Sequence, residues 1–159
     1  MNLFEEEGQK PKIILLDYQA TLVANFNERQ QYLAINGHTN YSNWIAQERY
    51  RNWIPELIKK EGVLCILITA RPYKYRVETI QRIKQLLGWV PDECYFNEST
   101  QSPDKCKKEL LEKYIYPRHG RDAGYLAFES NEVTRRMYAK EGIMAIRVGD
   151  IPLSKLPLI

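Results

Sequence analysis

The chain has 159 residues, 44% of them hydrophobic and 27% charged, with a net charge of +3 at pH 7 and a pI near 8.7. This composition suits one globular domain over 1–159 with a substantial core, and it excludes collagenous, low-complexity and helical membrane-spanning chains. The positive balance permits weak attraction to phosphate-bearing partners but falls short of the basic stripe of a dedicated nucleic-acid binder.

The opening "MNLFEEEGQKPK" pairs no basic segment with an apolar one, so it reads as a solvated lead-in over 1–11 rather than a secretory signal. "KIILL" follows as a buried strand that stops on Asp17, and residues 24–41 form a polar insert after it. "YSNWIAQERYRNWIPELIKKEG" has helical spacing, with Ser42 as its cap, Gly62 as its stop and Pro55 kinking or restarting it. Trp44 and Trp53 share a face of that stretch and are expected to pack against the sheet rather than meet nucleic-acid bases. "VLCILI" is the second strand. "YKYRVETIQRIKQLLGW" then sets Val77, Ile80, Ile83, Leu86 and Leu87 on one helical face and ends at Gly88. "CYF" is the third strand, and "SPDKCKKELLEKYI" opens with Ser102 as cap and Pro103 at the first helical position. "YLAF" and "IMAIRV" are the last two strands, separated by the helix "SNEVTRRMYAKEG". The tail "DIPLSKLPLI" is apolar and broken by proline, suited to a sheet edge or a neighbouring subunit.

Strands alternating with helices imply a three-layer α/β sandwich around a mostly parallel five-stranded sheet, whose sites lie at the carboxyl ends of the strands. Asp17, Thr69 and Glu129 end three different strands or follow them directly. Three distant segments therefore send polar groups to one rim. Cys65, Cys94 and Cys106 form no CxxC pair and leave one over if two join, which favours reduced thiols and a cytoplasmic setting. His38 and His119 lie in polar loops and are assigned no role.

Four segments resemble the motifs of the haloacid-dehalogenase superfamily. "LLDYQATL" resembles the first, with Asp17 as nucleophile and Thr21 four residues on; "ILITARP" is similar to the second, with Thr69 binding a phosphoryl oxygen. "KCKKELLEKYI" falls where the third motif's lysine is expected, and Lys107 is preferred to Lys105 and Lys108. "YLAFESNEV" resembles the fourth, with Glu129 as its first acid. The gross organisation resembles the small members without a large cap, including the 3′-phosphatase domain of phage polynucleotide kinase-phosphatase. The resemblance implies strand order 5-4-1-2-3 and a Mg²⁺ held by Asp17, the carbonyl of Gln19, Glu129 and Ser130. Substrate contacts would come from Thr21, Ala70, Arg71, Tyr73 and Arg76.

Two departures bear on the chemistry. Gln19 stands where the family's phosphatases carry an aspartic acid that protonates the leaving group, and an amide has no such proton; Ser130 replaces the second acid of the fourth motif. The resemblance thus implies a phosphomonoester hydrolase or phosphotransferase with slow, altered or lost turnover. An inactive module that binds a ligand or a protein is the alternative, and a metal-free dehalogenase-like hydrolase the third reading, since a "SN" pair such as Ser130-Asn131 marks that branch. The partners implied are a phosphorylated small molecule, a nucleotide or nucleic-acid end, or another protein, and no membrane.

Overall fold

The computed structural model describes residues 11–151. Five strands, β1 (Ile13–Leu16), β2 (Leu64–Pro72), β3 (Glu93–Asn97), β4 (Tyr125–Phe128) and β5 (Met144–Ile146), form one sheet in the order β3-β2-β1-β4-β5, every pair parallel. This is the expected order 5-4-1-2-3 read from the other edge. Ile13, Ile14, Leu15 and Leu16 are all buried, as a central strand covered on both faces requires.

Alternate residues supply two cores. Ile14, Leu16, Cys65, Leu67 and Phe128 face a layer that includes Ile54, Leu57 and Ile58 of α3 (Trp53–Glu61) and Ile83 of α4 (Arg76–Leu87). Ile13, Leu15, Ile66, Ile68 and Ala127 face Cys106 and Leu110 of α5 (Pro103–Leu110), Tyr116 of α6 (Tyr116–His119), and Met137 and Tyr138 of α7 (Glu132–Lys140). The chain reverses direction across the sheet between β1 and β4, so their carboxyl ends flank the crevice where doubly wound sheets place ligands.

The connection from β1 to β2 departs most from expectation. The polar insert contains a helix, α1 (Arg29–Asn36), and the stretch drawn as one helix is two, α2 (Tyr41–Ile45) and α3. Asn40, not Ser42, precedes α2. Pro55 lies in the first turn of α3, where its missing N–H costs no helical bond, and so marks a restart. Trp53 packs on the sheet, but Trp44 meets Tyr32 of α1, ring centroids 5.7 Å apart. On α4 the buried stripe is Thr79 and Ile83, flanked by Ile80 and Leu87, while Val77 and Leu86 are exposed. The predicted stops hold: Gly62 and Gly88 both take left-handed conformations that end α3 and α4. The lead-in, apart from Pro11, and the tail beyond Ile151 lie outside the described residues.

Candidate active site

Asp17 directly follows β1, and its N–H donates to the Phe128 carbonyl at 2.9 Å, which ties the first and fourth segments together. The chain then turns sharply. Gln19 has φ −72°, ψ 129° and Ala20 φ 62°, ψ 4°, the central pair of a type II turn. Arg51 holds this turn from outside, Nη1 donating to the carbonyls of Ala20 at 3.0 Å, Thr21 at 2.7 Å and Val23 at 3.2 Å. The strand end and the turn set Asp17 beside the cavity, 6% exposed.

β2 runs past its expected end to Pro72, and its register against β3 slips between Ile68 and Pro72. Irregularities of this kind re-aim side chains. Thr69 and Ala70 line the same cavity as Asp17, and Thr69 Oγ1 accepts from the Arg71 N–H at 3.1 Å. From the other face, α5 buries Lys107, while Lys105 and Lys108 stay exposed. Glu129 follows β4, fixed by its N–H to the Ile146 carbonyl at 2.9 Å. Asn131 caps α7 by accepting from the Thr134 N–H at 3.0 Å.

These side chains form one buried network. Lys107 Nζ donates to Asp17 Oδ1 at 2.8 Å and also to Glu129 Oε1. Asp17 Oδ2 accepts from Thr21 Oγ1 at 2.8 Å and from Ser130 Oγ at 3.1 Å, and Glu129 Oε2 accepts from the Asn131 N–H at 3.1 Å. Burial works against the Lys107 ammonium, but the Asp17 and Glu129 carboxylates outweigh it and hold the amine charged beyond the ordinary lysine range. Burial pushes the Glu129 carboxyl up to about 7, opposed by Lys107 and reinforced by the charge of Asp17. With both acids ionised the three groups carry one net negative charge. Above them opens a cavity of about 120 Å³.

Asp17, Gln19, Thr69, Ala70, Lys107, Glu129 and Ser130 all line this cavity. The remaining predicted contacts do not line it. Thr21 is fully buried against Asp17. Arg71 turns away into the protein, 1% exposed, with Nη1 and Nη2 donating to Glu48 Oε1 and Oε2 at 2.9 and 2.6 Å and Nη1 also to Thr79 Oγ1 at 3.0 Å. Its guanidinium is therefore a structural cation rather than the expected substrate contact. Tyr73 is exposed and stacks against Arg76, whose guanidinium carbon lies 4.3 Å from the ring centre. Sequence reasoning missed Phe26, which lines the cavity from the insert, and Glu48, which gives no signal among the exposed polar residues around it. Gln19 is tied to the insert as well, Nε2 donating to the Tyr41 hydroxyl at 3.1 Å, and Tyr41 stacks on Tyr75 at 4.6 Å.

Among the described residues no cluster of three His, Cys, Asp or Glu side chains forms a metal site. An oxygen set does converge: Ser130 Oγ lies 3.1 Å from Asp17 Oδ2 and 3.2 Å from the Gln19 carbonyl oxygen. Adjacent ligands in an octahedron with bonds of about 2.1 Å stand roughly 3.0 Å apart, close to these two spacings. Glu129, expected as a fourth ligand, has both oxygens engaged by Lys107 and Asn131.

No family model matches the chain, and no curated protein does. Solved structures are similar in fold. Two are chains from structures of the Pnkp1/Rnl/Hen1 RNA repair complex, 17% and 19% identical, each with TM-score 0.63 over 87% of this chain. This chain spans less than half of either, 42% and 45%. A hydrolase from Streptococcus pneumoniae TIGR4 is 11% identical with TM-score 0.60, covering 89% of this chain and 96% of its own. At these identities the likeness establishes the fold alone, a Rossmann-like α/β sandwich around an all-parallel five-stranded sheet.

Proposed function

We propose that the protein transfers phosphoryl groups to water through Asp17, with turnover limited by Gln19. The observation that carries this reading is the joint presence of Asp17, Thr69, Lys107 and Glu129 around one small cavity at the switch point of the sheet. A carboxylate attacks an anionic phosphoryl centre only where its own charge is offset. Lys107 and the Thr21 and Ser130 hydroxyls provide that offset, and they hold the Asp17 carboxylate in one orientation. Thr69 and the backbone around Ala70 would bind the transferred oxygens. Mg²⁺, held by Asp17, the Gln19 carbonyl and Ser130, would supply the further positive charge that a phosphate dianion needs beside this net-negative trio.

The mouth bears on the carrier of the phosphate. Phe26, which lines the cavity, has the Arg29 guanidinium 5.1 Å from its ring, and Tyr41, bonded to Gln19, stacks on Tyr75, whose ring has Lys74 at 5.1 Å. Rings interleaved with cations suit a nucleotide or another planar phosphorylated molecule.

One observation favours a second reading, a module that binds without turnover: each oxygen of Asp17 and Glu129 already accepts a bond from the protein. A single assay separates the two. Phosphate release from 4-nitrophenyl phosphate, measured with and without Mg²⁺, should be metal-dependent and abolished by Asp17→Asn. Absence of release in the natural protein, restored in Gln19→Asp combined with Ser130→Asp, would assign it to the binding reading, and halide release from a small haloacid without metal would overturn both.

A further inference from the structure

We infer that the site accepts phosphoryl groups only from leaving groups that depart as stable anions, namely phosphoanhydrides, acyl phosphates and aryl phosphates, and discriminates against alkyl phosphomonoesters. The inference rests on the reading of Asp17 as nucleophile. It follows from an inventory of protons around the cavity.

When a carboxylate oxygen of Asp17 forms its bond to phosphorus, the bond from phosphorus to the leaving oxygen breaks and its electron pair leaves on that oxygen. An alkoxide needs a proton at that moment; a phosphate, a carboxylate or a phenolate does not. Gln19 occupies the cavity wall where the donor would stand, its Nε2 committed to Tyr41 and its Oε1 meeting no donor among the described residues. That amide carbonyl accepts hydrogen bonds and has no acid proton to give. Glu129, the other carboxyl on the cavity, is 1% exposed with both oxygens already accepting bonds. Lys107 is 2% exposed and shared between the two acids, so surrendering its proton would leave two adjacent carboxylates unneutralised. Ser130 directs its hydroxyl at Asp17 and the Gln19 carbonyl, and Thr69 is only a hydroxyl. The cavity therefore holds no free general acid.

The second step needs none. Water attacks phosphorus, the bond to Asp17 breaks with its pair returning to the carboxylate, and both water protons remain on the phosphate, which leaves as H₂PO₄⁻. Here the Gln19 side-chain oxygen Oε1 has a use: with the amide held from the insert by Tyr41, it can accept a hydrogen bond from the attacking water and orient it without taking its proton, as glutamines do for water in GTPases. The same residue thus withholds help from the first step and offers it to the second.

The test is a leaving-group series: acetyl phosphate, aryl phosphates from 4-nitrophenyl to unsubstituted phenyl, and glycerol phosphate, on the natural protein, Gln19→Asp and Gln19→Glu. The natural protein should lose rate steadily as leaving-group pKa rises, with glycerol phosphate at least about 10²-fold below the nitrophenyl ester. An acid at position 19 should narrow that gap by roughly the 10²–10⁴ that general acid catalysis contributes. Tyr41→Phe, which frees the amide, should slow phosphate release from phosphorylated Asp17 while leaving the leaving-group dependence intact. A flat series in the natural protein would overturn this inference and leave the proposed function standing; no release and no phosphorylation of Asp17 from any donor would overturn the proposed function itself.

Discussion

At the residue scale two positions carry energies large enough to measure. Ala20 is the one non-glycine described residue with positive φ, at 62°, and it sits in the turn that aims Asp17 and Gln19. A left-handed conformation costs an L-residue about 1–2 kcal/mol, and glycine loses about 0.4–1 kcal/mol through its freer unfolded chain. Ala20→Gly should therefore raise stability by about 0.5–1 kcal/mol in urea unfolding; a loss of stability would mean that the methyl packs against the cavity wall. The second position is the Glu48–Arg71 pair, whose side chains are both fully buried. Burial opposes the Arg71 charge and Glu48 outweighs it, and the Tyr18 hydroxyl adds a bond to Glu48 Oε1 at 2.7 Å. Removing one member strands the other charge, so Glu48→Gln or Arg71→Met should each cost about 3–5 kcal/mol. The double variant should cost far less than their sum. Additive losses would show that the two groups act independently.

At the element scale, α4 separates hydrophobicity from burial. Ile83 is fully buried and Val77 is 55% exposed, although both are aliphatic and both fit a helical stripe. Ile83→Ala should cost about 2–4 kcal/mol, whereas Val77→Ser should stay within about 0.5 kcal/mol, both read from denaturant midpoints. Equal costs would mean that Val77 packs in solution. The same contrast explains what could be read in the sequence. Strands were legible because five β-rich runs, each closed by a polar residue or a turn, leave little choice of topology, and the rim shared by Asp17, Thr69 and Glu129 followed from that topology. Lys107 could be picked out by its interval, though only packing distinguishes it from Lys105 and Lys108. Arg71 and Glu48 could not be read at all. An arginine two residues after a threonine proposed to bind phosphate looks like a ligand contact until a partner from a helix connection 23 residues earlier neutralises it. That pairing is tertiary and leaves no periodic trace.

At the scale of the whole molecule, burial in the two apolar cores holds thiols and phenols neutral well into alkali. Cys65, Cys94 and Cys106 are free thiols, and burial is the leading cause raising all three, Cys94 to about 12 and Cys106 to about 11. Burial also raises the Tyr18 and Tyr138 phenols. An unfolded thiol ionises near pH 8.5 and an unfolded phenol near 10. Above those values the unfolded chain sheds protons that the folded chain keeps, so alkali favours unfolding. The stabilising contribution is complete below about pH 8.5 and is lost as pH rises through the folded values, for Cys106 through about 11. Each group so held adds about 1.4 kcal/mol per pH unit to the slope while it stays protonated in the fold. Urea midpoints should thus fall steadily from pH 8 to 10.5, and Cys65→Val should make that fall shallower. The same neutrality protects the thiols kinetically, since only a thiolate attacks a disulfide reagent. At pH 8 the native protein should leave all three unreacted over the time in which urea-unfolded protein titrates them fully. Rapid native modification of Cys65, which lies on β2 in the layer packed with α3 and α4, would show that this layer opens without global unfolding.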